Sequence, residues 1–352
     1  MPINDLQILP CFSLEPNKLV SYNRVFRRNV DLSNNPDTLQ TKEKKANRFL
    51  ESIKSKTIKR DNHNFVISDN AYRTLKRRIS WLYYLSKSRY KKTYSGKEIY
   101  NFKIAFITLS LPSKQQTPTN EVTKNLFNQF LTEIRQRTTM QNYVWRLEFQ
   151  KNGNVHYHIV TDTYLDYFFA LKIWNRILKN NGYIKPYSDK FGAMSLMQYN
   201  HATNRDGATD FSIVAKRYAK GCESKWTQPN TVDVRSVISN KAIANYISKY
   251  FAKDSDNGVI KNDLDNDSNS ANMRLWFCSR SLSKMNTLSN FCEAVEYDIF
   301  SIVASDSQCK RIFHKYVTVY YFNIKNFCTF CRKEIEMLLR AYSHDQGYIP
   351  AI

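Results

Sequence analysis

Two histidines stand one residue apart, His156 and His158 in 153-GNVHYHIV-160, in a chain of 352 residues that has only six. In an extended strand, residues i and i+2 point to the same face. The two imidazoles would then stand side by side, with Val155, Tyr157 and Ile159 on the opposite face. Such a pair is a candidate metal clamp. It is equally what the wet face of an ordinary strand can carry. Glu148 lies eight residues before His156, across the turn Lys151-Asn152-Gly153-Asn154, and a hairpin would bring its carboxylate to the histidine face. Two imidazoles and one carboxylate leave coordination positions open, as a catalytic rather than a structural metal site requires. Gln150 shares Glu148's face and is placed to orient it.

A second cluster is 246-YISKYFAK-253, which reads YxxKYxxK. On a helix, Tyr246 and Tyr250 lie on one face, with Lys249 and Lys253 one turn along beside them. Aromatic residues four apart are ordinarily core packing, but an apolar core face would not carry interleaved lysines. Cys328 and Cys331 form the chain's CxxC pair, without the second pair that a four-ligand zinc site needs, and read as small buried thiols. No GxxxxGK[ST] occurs among the eight glycines, which excludes an ATPase or helicase of the Walker type.

These residues must be positioned by the elements around them. Residues 1 to about 62 read as irregular and polar, with basic patches at 42–48 and 54–60. A helix is predicted from the cap Ser68 or Asp69 to about Tyr90, with Ala71, Leu75, Leu82 and Leu85 on an apolar side. Arg73, Lys76 and Arg77 lie on its basic side, as candidate DNA contacts or as a solvated face. From residue 99 the pattern is compact. A β-rich run ends at Pro112, and Thr119 or Asn120 then caps a helix with Val122, Leu126, Phe127, Phe130, Leu131 and Ile134 at helical spacing. The 143–150 strand, the turn and the histidine strand follow as a hairpin. Asp166 opens a helix that Gly182 stops. Residues 183–225 read as an insertion, 231–237 as a strand, 240–253 as a helix and 254–272 as an exposed polar loop. The remainder reads as largely helical, with 316–327 either a strand or a buried helix.

The charge points to the partner. Lys and Arg number 53 against 31 Asp and Glu, a formal net charge of +22. Such a field repels itself in a compact chain unless a polyanion is bound, which puts nucleic acid first and an acidic membrane second. No apolar run approaches the roughly 18 residues needed to cross a bilayer. The N-terminal stretch lacks the basic start and clean apolar run of a signal peptide. Seven cysteines at irregular spacing fit free thiols in a reducing compartment.

In order along the chain, 106-FITLSLP-112, 148-EFQKNGNVHYHIV-160 and 245-NYISKYFAK-253 resemble the HUH-endonuclease superfamily of rolling-circle replication initiators. The doubled YxxK is similar to the two-tyrosine form of microviruses, small phages with circular single-stranded DNA, and 274-RLWFCSRSLS-283 resembles a segment of that group. The resemblance covers about residues 100–285, and Tyr157 fills the hydrophobic position of the HUH pattern. It implies an α+β fold, a palm with a central antiparallel sheet of about five strands flanked by helices. Three regions are expected: a basic N-terminal extension (1–98) with one amphipathic helix, the endonuclease domain (99–285) and a mostly helical C-terminal extension (286–352). It further implies that Glu148, His156 and His158 hold a divalent cation, Mg²⁺ or Mn²⁺. Tyr246 and Tyr250 would attack a DNA phosphate, and Lys249 and Lys253 would neutralise the developing charge. The implied partners are single-stranded origin DNA and a host helicase and polymerase, with no membrane, in the host bacterial cytoplasm. Plasmid initiators, transposases and relaxases share this chemistry. A DNA-binding protein that has lost catalysis is the alternative from another class.

Overall fold

The computed structural model describes residues 6–27, 67–87, 89–92, 98–102, 104–150, 152–237, 274–291 and 294–350. Its chain forms two compact units.

The first unit holds β1 (Leu6–Glu15) and β2 (Lys18–Arg27), the part of helix α1 (Asp69–Leu85) from Arg73 onward, and residues Arg280–Ile349. β1 and β2 pair antiparallel across the tight turn at Pro16 and Asn17, with Glu15 opposite Lys18. Residues 28–62, with the basic patches at 42–48 and 54–60, lie outside the described residues, and the irregular reading is corrected for residues 6–27. Alternation there is interrupted by Pro10 and Pro16, and the other neighbours of the two strands lie at the far end of the chain. α1 is capped by Ser68, whose hydroxyl accepts the Ala71 N–H at 3.3 Å. It buries Leu75, Ile79, Trp81 and Leu82, and the Trp81 Nε1–H donates to the Asn286 carbonyl at 2.9 Å. It stops at Leu85 rather than near Tyr90. Serines favour non-helical backbone, and from Arg89 the chain is taken up by strand pairing.

The second unit carries the candidate site. The antiparallel ribbon β3 (Arg89–Lys92) and β4 (Glu98–Phe102) precedes β5 (Ile104–Leu109), most of which is buried. A nearly continuous helical run follows as α2 (Thr119–Glu121), a π-helical turn (Val122–Phe127) and α3 (Asn128–Arg137). β6 (Tyr143–Phe149) and β7 (Val155–Thr161) form the hairpin. The Asp166 carboxylate accepts the Phe169 N–H at 3.0 Å and caps α4 (Tyr167–Asn180). Gly182 ends that helix at φ +80°. A short helical insert follows, α5 (Ile184–Gly192), α6 (Leu196–Thr203) and α7 (Phe211–Glu223), and then β8 (Val232–Val237) and β9 (Trp276–Cys278).

The sheet order is β8-β5-β7-β6-β9, with every pairing antiparallel. The fold is therefore α+β around a five-stranded antiparallel sheet. Its core lies on one face, where Trp145, Leu147, Tyr157 and Ile159 pack against Phe127, Phe130, Trp174 and Ile177. The period of two along β6 and β7 sends these side chains inward and sends Arg146, Glu148, His156 and His158 to the other face.

The first unit closes with helix α8 (Arg280–Ser283), β10 (Leu288–Phe291), α9 (Ala294–Ser305), β11 (Lys310–Phe313), β12 (Val317–Tyr321) and α10 (Thr329–Asp345). Its sheet runs β10-β1-β2-β12-β11. Both ends of the chain thus contribute strands to one sheet, where largely helical extensions were expected. Their pairings join residues some 270 to 300 positions apart, which local periodicity does not register. The Cys328 sulfur accepts the Cys331 N–H at 3.4 Å at the start of α10, and Cys328 is exposed rather than buried. Among the described residues, no helix is long and apolar enough to cross a membrane.

The helical insert has a small aromatic core of its own, in which Trp226 meets Phe191, Tyr199 and Tyr218 at ring separations of 5.4, 5.1 and 5.7 Å. Gly221 lies flat against that indole. A Cβ there would come within 2.4 Å of the ring. Gly221→Ala should therefore lower stability. Overpacking costs about 1–3 kcal/mol and outweighs the ~1 kcal/mol that alanine gains in a helix. The check is the urea midpoint followed by near-UV circular dichroism. An unchanged midpoint would show that the indole shifts freely.

Candidate functional site

The site grows from the β6–β7 register. Glu148 lies opposite His156, and Arg146 opposite His158, so a carboxylate, a guanidinium and two imidazoles share one face. Their spacing is held from behind. Tyr157, the residue between the histidines, is fully buried and stacks on Phe127 with ring centroids 4.1 Å apart and planes 8° apart. Its hydroxyl and that of Thr123 are hydrogen-bonded at 2.8 Å. The turn is held as firmly. Gly153 takes φ +81°, a conformation open chiefly to glycine. Asn154 is tied to the loop after β5, accepting the Gln115 N–H at 2.8 Å and donating to the Ser113 carbonyl at 2.7 Å.

On the site face, His158 is buried and both ring nitrogens are engaged. Nε2 is 2.8 Å from Glu148 Oε2, and Nδ1 is 3.2 Å from the Thr108 hydroxyl of β5. His156 stands at right angles to it, with ring centroids 5.9 Å apart. Its Nε2 is buried and has no hydrogen-bond partner among the described residues. Such an atom ordinarily costs stability unless something occupies it. Among the described residues, no three His, Cys, Asp or Glu side chains are grouped closely enough to hold a metal ion. Glu148 and His158 are thus in contact, and His156 stands beside them.

The electrostatics favour a ligand-ready set. Burial pushes the Glu148 carboxyl up, but the hydrogen bond and charge of His158, with Arg146 and then His156, outweigh it. The group is held below the ordinary carboxylate range and is ionised at neutral pH. Burial, and after it the neighbouring His158, lower His156 to a pKa of about 4, against the smaller opposing pull of Glu148. A neutral imidazole and an ionised carboxylate are the forms that bind a cation. Carboxylate oxygen and imidazole nitrogen are donor types that a divalent cation takes. The 2.8 Å Glu148–His158 contact is a hydrogen bond, however, and among the described residues the three side chains are not grouped closely enough to hold an ion.

Thr108 and Arg146 were not singled out in the sequence. Arg146 had a signal, since it lies two residues before Glu148 and therefore on its face. Thr108 had none, because only strand pairing brings it to His158. Gln150 closes the turn through its backbone, its N–H donating to the Asn154 carbonyl at 2.8 Å. The 240–253 helix, with Tyr246, Lys249, Tyr250 and Lys253, lies outside the described residues. In the first unit, Arg73 and Lys76 are exposed. The Arg77 Nε–H instead donates to the Glu15 carboxylate at 3.0 Å.

In the metal-free protein, the His156 imidazole should stay neutral from pH 7 to below pH 5, which side-chain ¹⁵N NMR would read directly. Its folded value lies below the unfolded 6.5, so the unfolded chain takes up the proton first. Stability should fall as pH drops from about 6.5 towards 4, by up to roughly 3 kcal/mol, and His156→Gln should lose that portion. A normal titration near 6.5 would contradict the burial argument. If the +22 charge binds DNA as expected, the salt dependence of that binding would separate the α1 cations. Replacing Arg73 and Lys76 with Gln should reduce the slope of log affinity against log salt by roughly 1.4, about 0.7 per phosphate contact on a single strand. Arg77→Gln should act chiefly on stability through its ion pair. An unchanged slope in the double variant would leave both residues facing solvent only.

Comparison with known proteins adds one match. Residues 104–255, from β5 to beyond the second YxxK, match the family model described as replication-associated protein ORF2/G2P. The match is consistent with a rolling-circle replication initiator. No curated protein and no solved structure matches the chain.

Proposed function

We propose that this chain is a replication initiator that nicks and rejoins single-stranded DNA at the origin of a small circular phage genome. The observation that carries the reading is the buried Nε2 of His156, without a partner among the described residues, beside the Glu148–His158 pair, within the stretch that matches a replication-associated family. Glu148, His156 and His158 are the residues that would hold a divalent cation, Mg²⁺ or Mn²⁺. When bound, such a cation supplies Lewis-acid polarisation of the scissile phosphate.

The work of the chain's own groups follows from their chemistry. Tyr246 or Tyr250, having given up its phenolic proton, attacks the phosphorus in line. A P–O bond forms to the tyrosine oxygen while the bond from phosphorus to the 3′-oxygen breaks. That oxygen takes up a proton to become a free 3′-hydroxyl, and the 5′-phosphate remains on the tyrosine. No electrons leave the system, and the phosphodiester energy is retained, so the reverse attack by a 3′-hydroxyl rejoins the strand. Lys249 and Lys253 favour the phenolate, whose ordinary pKa is about 10, and neutralise charge on the phosphate oxygens. With two tyrosines, one can hold the old 5′ end while the other attacks after a full turn of synthesis. Without a Walker A loop, unwinding and synthesis fall to a host helicase and polymerase.

The test is covalent capture. Incubated with Mn²⁺ and a labelled single-stranded origin oligonucleotide, the protein should form an adduct that survives denaturation. Tyr246→Phe and Tyr250→Phe should each still form it, but neither should release closed circles, and the double variant should form none. His156→Ala should abolish the adduct while keeping most of the DNA affinity, which the +22 charge supplies. An adduct of wild-type yield in the double tyrosine variant or in His156→Ala would overturn the proposal.

A further inference from the structure

The sheet has a second feature, on the face opposite Glu148 and His158 and at its β9 edge. A cleft of about 390 Å³ opens there between the π-helical turn and β6 and β9, within the roughly 300–1,000 Å³ of ligand sites. Its floor is aromatic: Trp145 and Tyr143 of β6, 5% and 8% exposed. Its outer wall is Phe277 of β9, opposite Trp145 in register and 39% exposed, with the Arg274 guanidinium 5.2 Å from its ring centroid. Lys124 and Asn128 line the other side, and among the described lining residues none is acidic. Lys124 and Thr123 come from the π-helical turn, a distortion frequent at functional sites.

Aromatic surface beside unopposed cations is the chemistry of single-stranded nucleic acid binding, in which bases stack on rings and phosphates meet Lys and Arg. We propose that the cleft seats one nucleotide of single-stranded DNA. The base lies against Phe277 above the Trp145–Tyr143 floor, and its phosphate faces Lys124 and Arg274. Only an unpaired, splayed base can offer its flat face to such a cleft, so a duplex does not fit. Thr123, which lines the cleft, is hydrogen-bonded to Tyr157 at 2.8 Å. The cleft is thus linked, through that one hydrogen bond, to the residue between His156 and His158. The inference rests on the nicking reading, since it assigns that substrate a second contact away from the reacting phosphate.

The experiment uses the full-length protein and single-stranded oligonucleotides carrying 5-iododeoxyuridine. Irradiation should cross-link the base to a peptide containing Tyr143 and Trp145, or one containing Phe277. Phe277→Ala should weaken the affinity, read by fluorescence anisotropy, about five- to a hundredfold, the range that loss of one base–aromatic stack carries. Lys124→Gln, which leaves the aromatic packing intact, should lower the salt slope by roughly 0.7. Both variants should still form the Mn²⁺-dependent adduct at saturating oligonucleotide. Cross-links only outside these peptides, together with wild-type affinity in Phe277→Ala, would overturn the cleft. The nicking reading would survive that result if the same variant forms the adduct. Equal or tighter binding to a duplex, or no binding of single strands by the wild type, also overturns the cleft. Loss of the adduct in His156→Ala, with single-strand affinity unchanged, supports the nicking reading independently of the cleft.

Discussion

The ring of Tyr157 is the fixed point of the second unit. It is sealed into the core on Phe127, and its hydroxyl is satisfied by Thr123. A one-residue slip of β7 would bury His156 and His158 and expose this ring. Any odd-numbered slip inverts the two faces in this way. The hydrophobic side of the sheet thus decides which groups reach its polar side, and the packing that stabilises the unit also aims the chemistry.

The charge of the chain sets a second constraint. A net charge of +22 favours polyanionic partners in general, but a diffuse field does not by itself position a ligand. Locally the balance is different. Glu148 is kept ionised by the hydrogen bond and charge of His158 and by Arg146, and His156 is kept neutral by burial. A negative oxygen and a neutral nitrogen are thereby maintained close together on one face of the sheet. Arg146 is almost wholly buried at 2% exposure. A charge that deep is costly unless it serves its neighbours, and here it counters the desolvation of the carboxylate.

Much of this arrangement was legible beforehand because its signals are local. The alternation in 153-GNVHYHIV-160, the glycine in the turn and the spacing back to Glu148 predict a hairpin, and the register pairs Glu148 with His156. The Ser68 and Asp166 caps and the Gly182 stop act within one helical turn, and all three fall where read. The apolar positions from Val122 to Ile134 are buried as their spacing predicts. Elements whose partners are distant escaped. β1 and β2 read as irregular because prolines punctuate them and the strands beside them lie beyond residue 287. The predicted tail of α1 yielded to strand pairing at Arg89.

By itself, the sequence determined which residue types share a face, because side-chain periodicity is a property of the backbone and needs no partner. It also determined the sign of the net charge, +22. Only the tertiary structure decided what each nitrogen touches. Thr108 meets His158 because β5 lies beside β7, and the His156 Nε2 is buried where no described residue supplies it a donor or acceptor. Those outcomes come from pairings across about 50 residues and from exclusion of solvent by the whole packed unit. No local pattern encodes them, because the energies that select them arise only once distant segments are in contact.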